Sequence, residues 1–386
     1  MEKLTIGVDV RPLAFPGTGN ARYLAHMLEE LMRQRPDWDW IFLSNRGVHP
    51  VYAELVQKSS VQLEVDGDGW NKYGPYWIHR RLPQVLRELQ PTIFWGTLAM
   101  LPYNYRKRVP LPAVVNFHDL NAFVQPKTMV RWNRWQHRLL DEHTIENASQ
   151  IMCLSKTTGH DILRILPRAD ARRLVVVYPG CEIPRVEPKR PDAPVGDLKD
   201  FILCVGTIEP RKNHRTLIDA YIQARAADRE LPPLVLCGGP GWGRASERLF
   251  ERLKSGRDQK NGIYFLASPP DSELRWCYQN ASMLANPSLH EGFGLPVLEA
   301  QFLGLPTLIS DIPVFREIGG DARFAPVKDI EAWSTTILQM SAQIRRGEMP
   351  APRVDKQFWT WRKRAELLAQ VFERAANDPL HTLLGV

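Results

Sequence analysis

Short apolar runs alternate with helical patterns along almost the whole chain, and this rhythm limits the folds it can adopt. Each run has the length of a buried strand, and the stretches between them repeat apolar residues at helical spacing, as in 21–33. Such alternation is typical of a parallel sheet covered by helices, so we predict an α/β fold. The predicted strands cover 4–10, 40–43, 93–95, 113–117, 151–154 and 174–178 in the first half, and 201–205, 234–237, 263–266, 283–285 and 307–309 in the second.

The length of 386 residues predicts two domains, because a single hydrophobic core rarely grows that large. A stretch rich in proline and charge, 185–194, has the composition of an interdomain linker. We therefore expect an N-terminal Rossmann-like domain, a linker, a C-terminal Rossmann-like domain and a final helical segment. Their expected bounds are 1–185, 186–200, 201–360 and 361–386.

Composition excludes several classes of protein. No apolar run reaches the roughly eighteen residues of a membrane span, and the first ten residues resemble a strand rather than a secretion signal, so we expect a cytoplasmic protein. The five cysteines are widely spread, which predicts reduced core thiols without disulfides or zinc. The net charge of +7 comes without any recognised nucleic-acid motif, so it indicates anionic substrates or an anionic membrane face.

The segment SLHEGFGLPVLEAQFLGL, 288–305, is the most informative about chemistry. Glu291 and Glu299 lie on either side of a turn in which Gly292 and Gly294 allow a ligand to approach the backbone closely. The helix that follows begins with free amides and a positive dipole end, which favour a phosphate. Two carboxylates can accept hydrogen bonds from hydroxyls at different ends of one ligand. The pattern predicts a metal-free site for a hydroxyl-rich phosphate, and the alternative is a pair of solvated acids.

A second loop, 206–213, carries Arg211 and Lys212 directly after the predicted strand 201–205. Arginine can fork onto phosphate oxygens and lysine acts as a compact point charge. The pair can therefore neutralise a diphosphate and stabilise it as it departs. The alternative is a solvated basic turn.

Two weaker signals occur in the first half. Gly19 belongs to a glycine-containing loop, 15–23, that opens the first helix after the first strand. His118 ends the strand 113–117 and precedes Asp119, at the edge of the sheet where α/β proteins bind ligands. A plain turn and a packed histidine remain the alternatives.

The two loops also resemble a known family. SLHEGFGLPVLEA is similar to the paired-glutamate signature of retaining glycosyltransferases of the GT-B fold, family 4, and GTIEPRKN resembles the donor-phosphate loop of the same family. The similarity runs from Leu4 to about Asp329. It implies two Rossmann-like domains that face each other across a cleft, with the terminal helix crossing back to the first.

The resemblance implies roles for individual residues. His118 would touch the transferred sugar, Arg211 and Lys212 would stabilise the leaving diphosphate, Glu291 would orient the sugar and Glu299 the nucleotide ribose. The departing diphosphate itself would take the proton of the acceptor hydroxyl. Cations and helix termini would already meet the diphosphate, so no cofactor or metal is implied. The expected donor-binding residues are completed by Gly19, Gly292, Phe293, Gly294 and Leu295; Ala21 departs from the family pattern, which usually has glycine there.

The predicted reaction moves a hexose from a nucleotide sugar to a growing cell-surface glycan such as lipid-linked O-antigen. The glycine run 238–243 resembles that of bacterial mannosyltransferase-like members, which implies GDP-mannose or a GDP-deoxyhexose as donor. Three alternatives stay open: a transferase that uses a UDP sugar, a GT-B nucleotide-sugar epimerase, and an inactive subunit that binds sugar nucleotides.

Tryptophan and arginine are concentrated in two segments, 129–139 and 76–81. Mixtures of indoles and cations can rest at a lipid interface, which predicts peripheral contact with the inner face of an anionic membrane. The alternative is that the tryptophans pack into the core while the arginines face water.

Overall fold

A computed structural model describes residues 3–58, 60–129, 131–181 and 186–377, except for the side chain of Asn133. The described residues form two compact units. Three of the predicted segments extend outside the described residues. The residues concerned are Val130 of the tryptophan-rich segment, Arg185 of the linker stretch and the last nine residues of the terminal segment. One unit draws on Met1–Phe123, Trp132–Gly180 and Phe358–Val386, and the other on Val124–Arg131 and Cys181–Gln357.

The first unit contains a seven-stranded parallel sheet in the order β3-β2-β1-β4-β5-β6-β7. The central strands β4 and β5 are buried along their whole length, which explains their unbroken apolar runs. The edge strand β3 is largely exposed, and its mixed polarity is why no strand was predicted there. The strands are β1 Thr5–Asp9, β2 Asp39–Ser44, β3 Val61–Val65, β4 Ile93–Gly96, β5 Ala113–Phe117, β6 Gln150–Cys153 and β7 Leu174–Val176.

Helices cover this sheet. The first helix buries Leu24, Met27, Leu28 and Leu31, which recur at helical spacing and form its apolar face. The helices of the first half are α1 Gly19–Gln34, α2 Ala53–Val56, α3 Gly74–Tyr76, α4 Leu82–Leu89, α5 Tyr105–Arg108, α6 Asn121–Val124, α7 Arg131–Asn147 and α8 Lys156–Ile165.

The second unit contains a six-stranded parallel sheet in the order β10-β9-β8-β11-β12-β13. The direction of winding reverses between β8 and β11, so the loops after these two strands diverge and leave a crevice of the kind that binds ligands in α/β proteins. The strands are β8 Ile202–Val205, β9 Leu234–Gly238, β10 Ile263–Ala267, β11 Met283–Asn286, β12 Thr307–Ser310 and β13 Arg323–Ala325; the helices are α9 His214–Ala227, α10 Arg244–Lys254, α11 Asp271–Asn280, α12 Leu295–Phe302, α13 Pro313–Ile318 and α14 Ile330–Arg345.

The last helix, α15 (Trp361–Ala376), packs within the first unit. Trp361 stacks on His26 of α1 with ring centroids 5.1 Å apart, and Phe372 meets Trp95 edge to face at 5.3 Å. Burial of Trp361, Trp95 and Phe372 holds α15 against the first sheet, although α15 follows the second sheet in sequence. Among the described residues, no helix is long and apolar enough to cross a membrane.

Candidate active site

A cluster of opposite charges lies at the point where the second sheet reverses direction. Lys212 donates from Nζ to Oε1 of Glu291 at 2.6 Å, and Arg211 donates from Nη1 to Oε2 at 3.0 Å. The cations belong to a short 3-10 turn, Pro210–Lys212, after β8, and Glu291 belongs to the loop after β11. A backbone hydrogen bond from Leu289 to the carbonyl of Arg211, at 2.8 Å, ties the two loops together. The structure thus brings together three of the residues singled out in the sequence.

Glu291 is a buried carboxylate with only 4% of its surface exposed. Burial alone would raise its pKa, but the charges of Lys212 and Arg211 outweigh burial, together with hydrogen bonds from Lys212 and Ser288. The pKa of Glu291 is lowered to about 2. The side chain is therefore ionised at neutral pH and can only accept hydrogen bonds.

Glu209 is a member of this cluster that sequence reasoning missed. Its Oε1 accepts from Nε of Arg211 at 3.0 Å and lies 2.8 Å from Nη2, and the side chain is buried. Glu209 and Glu291 therefore hold the guanidinium of Arg211 from two sides. Glu209 lies inside the segment GTIEPRKN, so the resemblance of that segment to a donor-phosphate loop could have pointed to it. Only the two cations of the segment were assigned a role from the sequence.

Lys212 is less fully engaged than Arg211. An ammonium group has three N–H donors, and the contact with Glu291 uses one of them. Lys212 therefore retains donors for a phosphate, whereas most of the donors of Arg211 are directed at Glu209, Glu291 and the carbonyl of His290.

The glycine turn after Glu291 has a backbone that other residues rarely adopt. Gly294 has φ +103°, and a Cβ at this position would lie 2.5 Å from the ring of Phe315. Glycine is therefore required both for its conformation and for the close approach of Phe315. Gly292 and Phe293 are buried beside it, and Leu295 begins α12.

Glu299 lies inside α12 and is also buried. Its Oε2 accepts a hydrogen bond from the hydroxyl of Tyr278 on α11 at 2.8 Å. The second glutamate of the signature is thus held by a neighbouring helix, while the first is held by the loop after β8.

The glycine run 238–243 supports the loop that carries the cations. A Cβ at Gly238 would lie 2.0 Å from the carbonyl oxygen of Gly206, and one at Gly241 would lie 2.4 Å from that of Ile208. Ile208 also donates its backbone N–H to the carbonyl of Gly239 at 2.9 Å. These glycines are explained by close packing of two backbones.

In the first unit, His118 lies at the carboxyl end of β5. Its Nε2–H donates to the carbonyl oxygen of Thr97, after β4, at 2.8 Å, and the Thr97 hydroxyl donates to the carbonyl of Asp9 in β1 at 2.6 Å. Burial lowers the pKa of His118, although the Thr97 carbonyl and the charge of Asp119 oppose this effect. The imidazole is therefore neutral, and its buried Nδ1 has no hydrogen-bond partner within the part of the chain that the structure describes.

Gly19 is the first residue of α1, in the same unit as His118. Thr18 caps the helix by accepting from the backbone N–H of Ala21 at 3.3 Å. A Cβ built on Gly19 would meet no atom within 4 Å, so the backbone is open to a ligand here.

Comparison with known proteins identifies the family. Residues 17–185 match the family described as Glycosyltransferase Family 4, and residues 186–346 match Glycosyl transferases group 1. O-antigen chain mannosyltransferase B of Escherichia coli is 31% identical over 349 residues, which cover 85% of this chain and 88% of the relative. The chain belongs to glycosyltransferase family 4. O-antigen chain mannosyltransferase RfbU of Salmonella typhimurium is 24% identical to this glycosyltransferase over 86% of this chain and 89% of the relative.

Solved structures agree on the fold. HepE of Anabaena, crystallised with UDP and glucose, has a TM-score of 0.69 at 16% identity and covers 96% of this glycosyltransferase and 99% of its own chain. WaaG, a glycosyltransferase involved in lipopolysaccharide biosynthesis, has a TM-score of 0.65 at 16% identity over 97% and 99% of the two chains. The predicted α/β architecture of the GT-B class, with two parallel sheets, is confirmed.

Proposed function

We propose that this glycosyltransferase is a retaining, metal-independent enzyme that transfers mannose or a related deoxyhexose from a GDP sugar. The acceptor is a growing cell-surface glycan such as lipid-linked O-antigen. The buried cluster of Lys212, Arg211 and Glu291 carries the proposal, and the resemblance to O-antigen chain mannosyltransferase B supports mannose as the sugar.

The chemistry follows from the charges. The bond between the anomeric carbon and the leaving diphosphate breaks while the acceptor oxygen bonds to the same face of the sugar. The acceptor proton passes to an oxygen of the departing diphosphate. Lys212 stabilises the negative charge that develops there, and Arg211 supports it. Ionised Glu291 accepts hydrogen bonds from sugar hydroxyls, Glu299 binds the nucleotide ribose, and His118 contacts the transferred sugar.

Gly19 and the turn Gly292–Leu295 complete the proposed donor site. Three of these five residues, Gly19, Gly292 and Gly294, are glycines, so backbone amides can come close to a ligand there. Two cations and these amides together meet the charge of a diphosphate, so the proposed reaction uses neither a metal nor a cofactor.

The first experiment identifies the nucleotide. A ligand that binds the folded state raises the melting temperature, so a panel of GDP, UDP, ADP and dTDP reports relative affinity. We expect GDP to give the largest shift. A larger shift with UDP would favour the second candidate, a UDP-sugar transferase, which is suggested by the similar fold of HepE and its crystals with UDP.

The second experiment tests the reaction. GDP-mannose and octyl α-mannoside are incubated with and without EDTA, and the anomeric proton of the product is followed by NMR. We expect an α-linked product, because the diphosphate leaves from the same face of the sugar that the acceptor oxygen attacks. We also expect equal rates with and without EDTA, because Arg211 and Lys212 take the place of a metal ion. A β-linked product, or activity that is lost with EDTA and restored by magnesium, would contradict the mechanism. An epimerised sugar without acceptor would indicate the epimerase, and nucleotide binding without turnover the inactive subunit.

We further propose that α7 contacts the anionic inner face of the cytoplasmic membrane, where a lipid-linked acceptor would be found. Trp132 and Trp135 are more than half exposed and stack with ring centroids 5.4 Å apart, and Leu139 is exposed on the same helix with Arg138. Exposed indoles beside cations suit a headgroup region. Exposure of both indoles supports this reading over core packing in α7, whereas Trp77 of the segment 76–81 is buried, as the alternative expects.

Sedimentation with vesicles tests the membrane contact. We expect the protein to bind phosphatidylglycerol vesicles more strongly than phosphatidylcholine vesicles, and the double variant Trp132→Ser, Trp135→Ser to bind several-fold less. The exposed Trp70 lies outside α7, so Trp70→Ser serves as the matched control. Equal binding by the double variant and the control would exclude α7 as the contact surface.

A further inference from the structure

A second feature of α7 is an imidazole oriented by a buried carboxylate. Nδ1 of His137 lies 3.0 Å from Oδ1 of Asp141, one helical turn away. The Asp141 side chain is 3% exposed, whereas that of His137 is 33% exposed. Asp141 accepts from Nδ1–H, so the ring orientation is set and Nε2 is left to interact with a group outside the pair.

The pair belongs to the same unit as His118, and its helix contacts a loop that His118 also contacts. The helix α7 packs along the loop that follows β4, since His143 contacts the carbonyl of Pro102 at 3.1 Å and Leu101 donates to the Thr144 hydroxyl at 3.0 Å. The same loop begins at Thr97, whose carbonyl accepts from His118. His118 and the helix that carries His137 therefore contact the same loop after β4.

The charge of Asp119, the neighbour of His118 in sequence, also acts on the pair. Burial alone would lower the pKa of His137, but the hydrogen bond and charge of Asp141 and the charge of Asp119 outweigh burial and raise it. Burial raises the pKa of Asp141, and the charge of Asp119 adds to this effect. Asp119, the neighbour of His118 in sequence, is therefore close enough to act on both members of the pair.

Another pair of a histidine and a carboxylate in this unit, His26 and Glu29, has an exposed acid instead of a buried one. His26 and Glu29 on α1 are separated by 3.6 Å, and the side chain of Glu29 is largely exposed. Burial of the Asp141 carboxylate has a large desolvation cost, because the charge loses its contact with water. The side chain of His137 stays partly exposed. An accessible ring held by a buried acid is the arrangement by which proteins orient an imidazole toward a ligand.

We propose that His137, oriented by Asp141, hydrogen-bonds a hydroxyl of the acceptor sugar and sets the affinity for the acceptor. The proposal rests on the proposed transfer reaction, because it assigns the acceptor to the edge of the first sheet that carries His118. His137 is a positioning residue, and the proton of the attacking hydroxyl still leaves with the diphosphate.

The test separates acceptor binding from donor chemistry. In His137→Ala we expect the KM for octyl α-mannoside to rise about tenfold, while the KM for GDP-mannose and its slow hydrolysis without acceptor are unchanged. Asp141→Asn should shift the acceptor KM in the same direction by less, and His137→Gln should restore part of the affinity because its amide can hydrogen-bond a hydroxyl. His160→Ala, an exposed histidine on α8, is the matched control.

Three results would overturn the proposal: an acceptor KM in His137→Ala equal to that of the control, a parallel loss of donor hydrolysis, or absence of octyl α-mannoside binding to the wild type by saturation-transfer NMR. The binding measurement also keeps the two proposals apart. If the wild type binds the mannoside without transferring mannose to it, the proposed reaction fails, and the comparison of binding by wild type and His137→Ala still decides the role of His137.

Discussion

Lys212→Ala is expected to lower kcat/KM for the donor by about 10²–10³-fold, the usual effect of removing one group that stabilises developing negative charge. Nζ of Lys212 is held 2.6 Å from Glu291 and retains donors for the diphosphate. The loss should fall mainly on kcat, because the charge on the leaving group grows as the bond breaks.

Steady-state kinetics on the folded variant, with melting temperature as a check, measure this effect. Arg215→Ala is the matched control, since Arg215 lies three residues further on in α9 with a side chain that is almost fully exposed. Arg211→Ala should also depress turnover, but with a larger loss of stability, because it leaves buried Glu209 without its ion-pair partner and Glu291 with Lys212 alone. A Lys212→Ala enzyme with kinetics like the control would remove lysine from the leaving-group site.

Glu291→Gln and Glu299→Ala are expected to fail in different ways. Glu291→Gln should keep nucleotide binding but lower kcat by about a hundredfold, because a poorly oriented sugar reacts slowly. Glu299→Ala should instead weaken nucleotide binding, because it removes an acceptor for ribose hydroxyls held in place by Tyr278. Calorimetric titration with GDP, together with kcat for each variant, separates the two roles. Equal losses of GDP affinity in the two variants would contradict this division.

Glu291 should also affect how the free energy of unfolding depends on pH in acid. Its pKa is about 2 in the folded protein and 4.5 in an unperturbed glutamate, so its contribution is fully present above pH 4.5 and is lost as the pH falls toward 2. A shift of this size corresponds to about 3 kcal/mol. The free energy of unfolding, measured with denaturant between pH 5 and pH 3, should therefore fall more steeply with acid for the wild type than for Glu291→Gln. Parallel curves for the two proteins would show that the carboxylate is not held by the two cations.

The local pattern of the sequence was enough to predict the α/β class and most strands. The eleven predicted strands each overlap an observed one, because a strand buried on both faces must be apolar throughout. The edge strands β3 and β13 were missed, since Val61–Val65 and Arg323–Ala325 keep exposed and polar residues that do not form such a run. The glycine turn and the pair Arg211-Lys212 were also visible, because they are contiguous in the chain.

Contacts between distant residues were decided by the tertiary structure. Arg211 and Glu291 are 80 residues apart and meet because β8 and β11 are neighbours at the reversal of the second sheet. The low pKa of Glu291 and the role of Glu209 follow from burial beside opposite charges. A local sequence pattern shows neither the burial of a charged residue nor which distant charges lie beside it. Likewise, His137 and Asp141 share a helical spacing that the sequence displays, but only packing of α7 makes one of them buried and leaves the other accessible. The periodicity of apolar residues predicts which face of each segment is buried, because apolar side chains favour the interior over water. The reactivity of the site depends on which distant segments are in contact, and only the tertiary structure determines this.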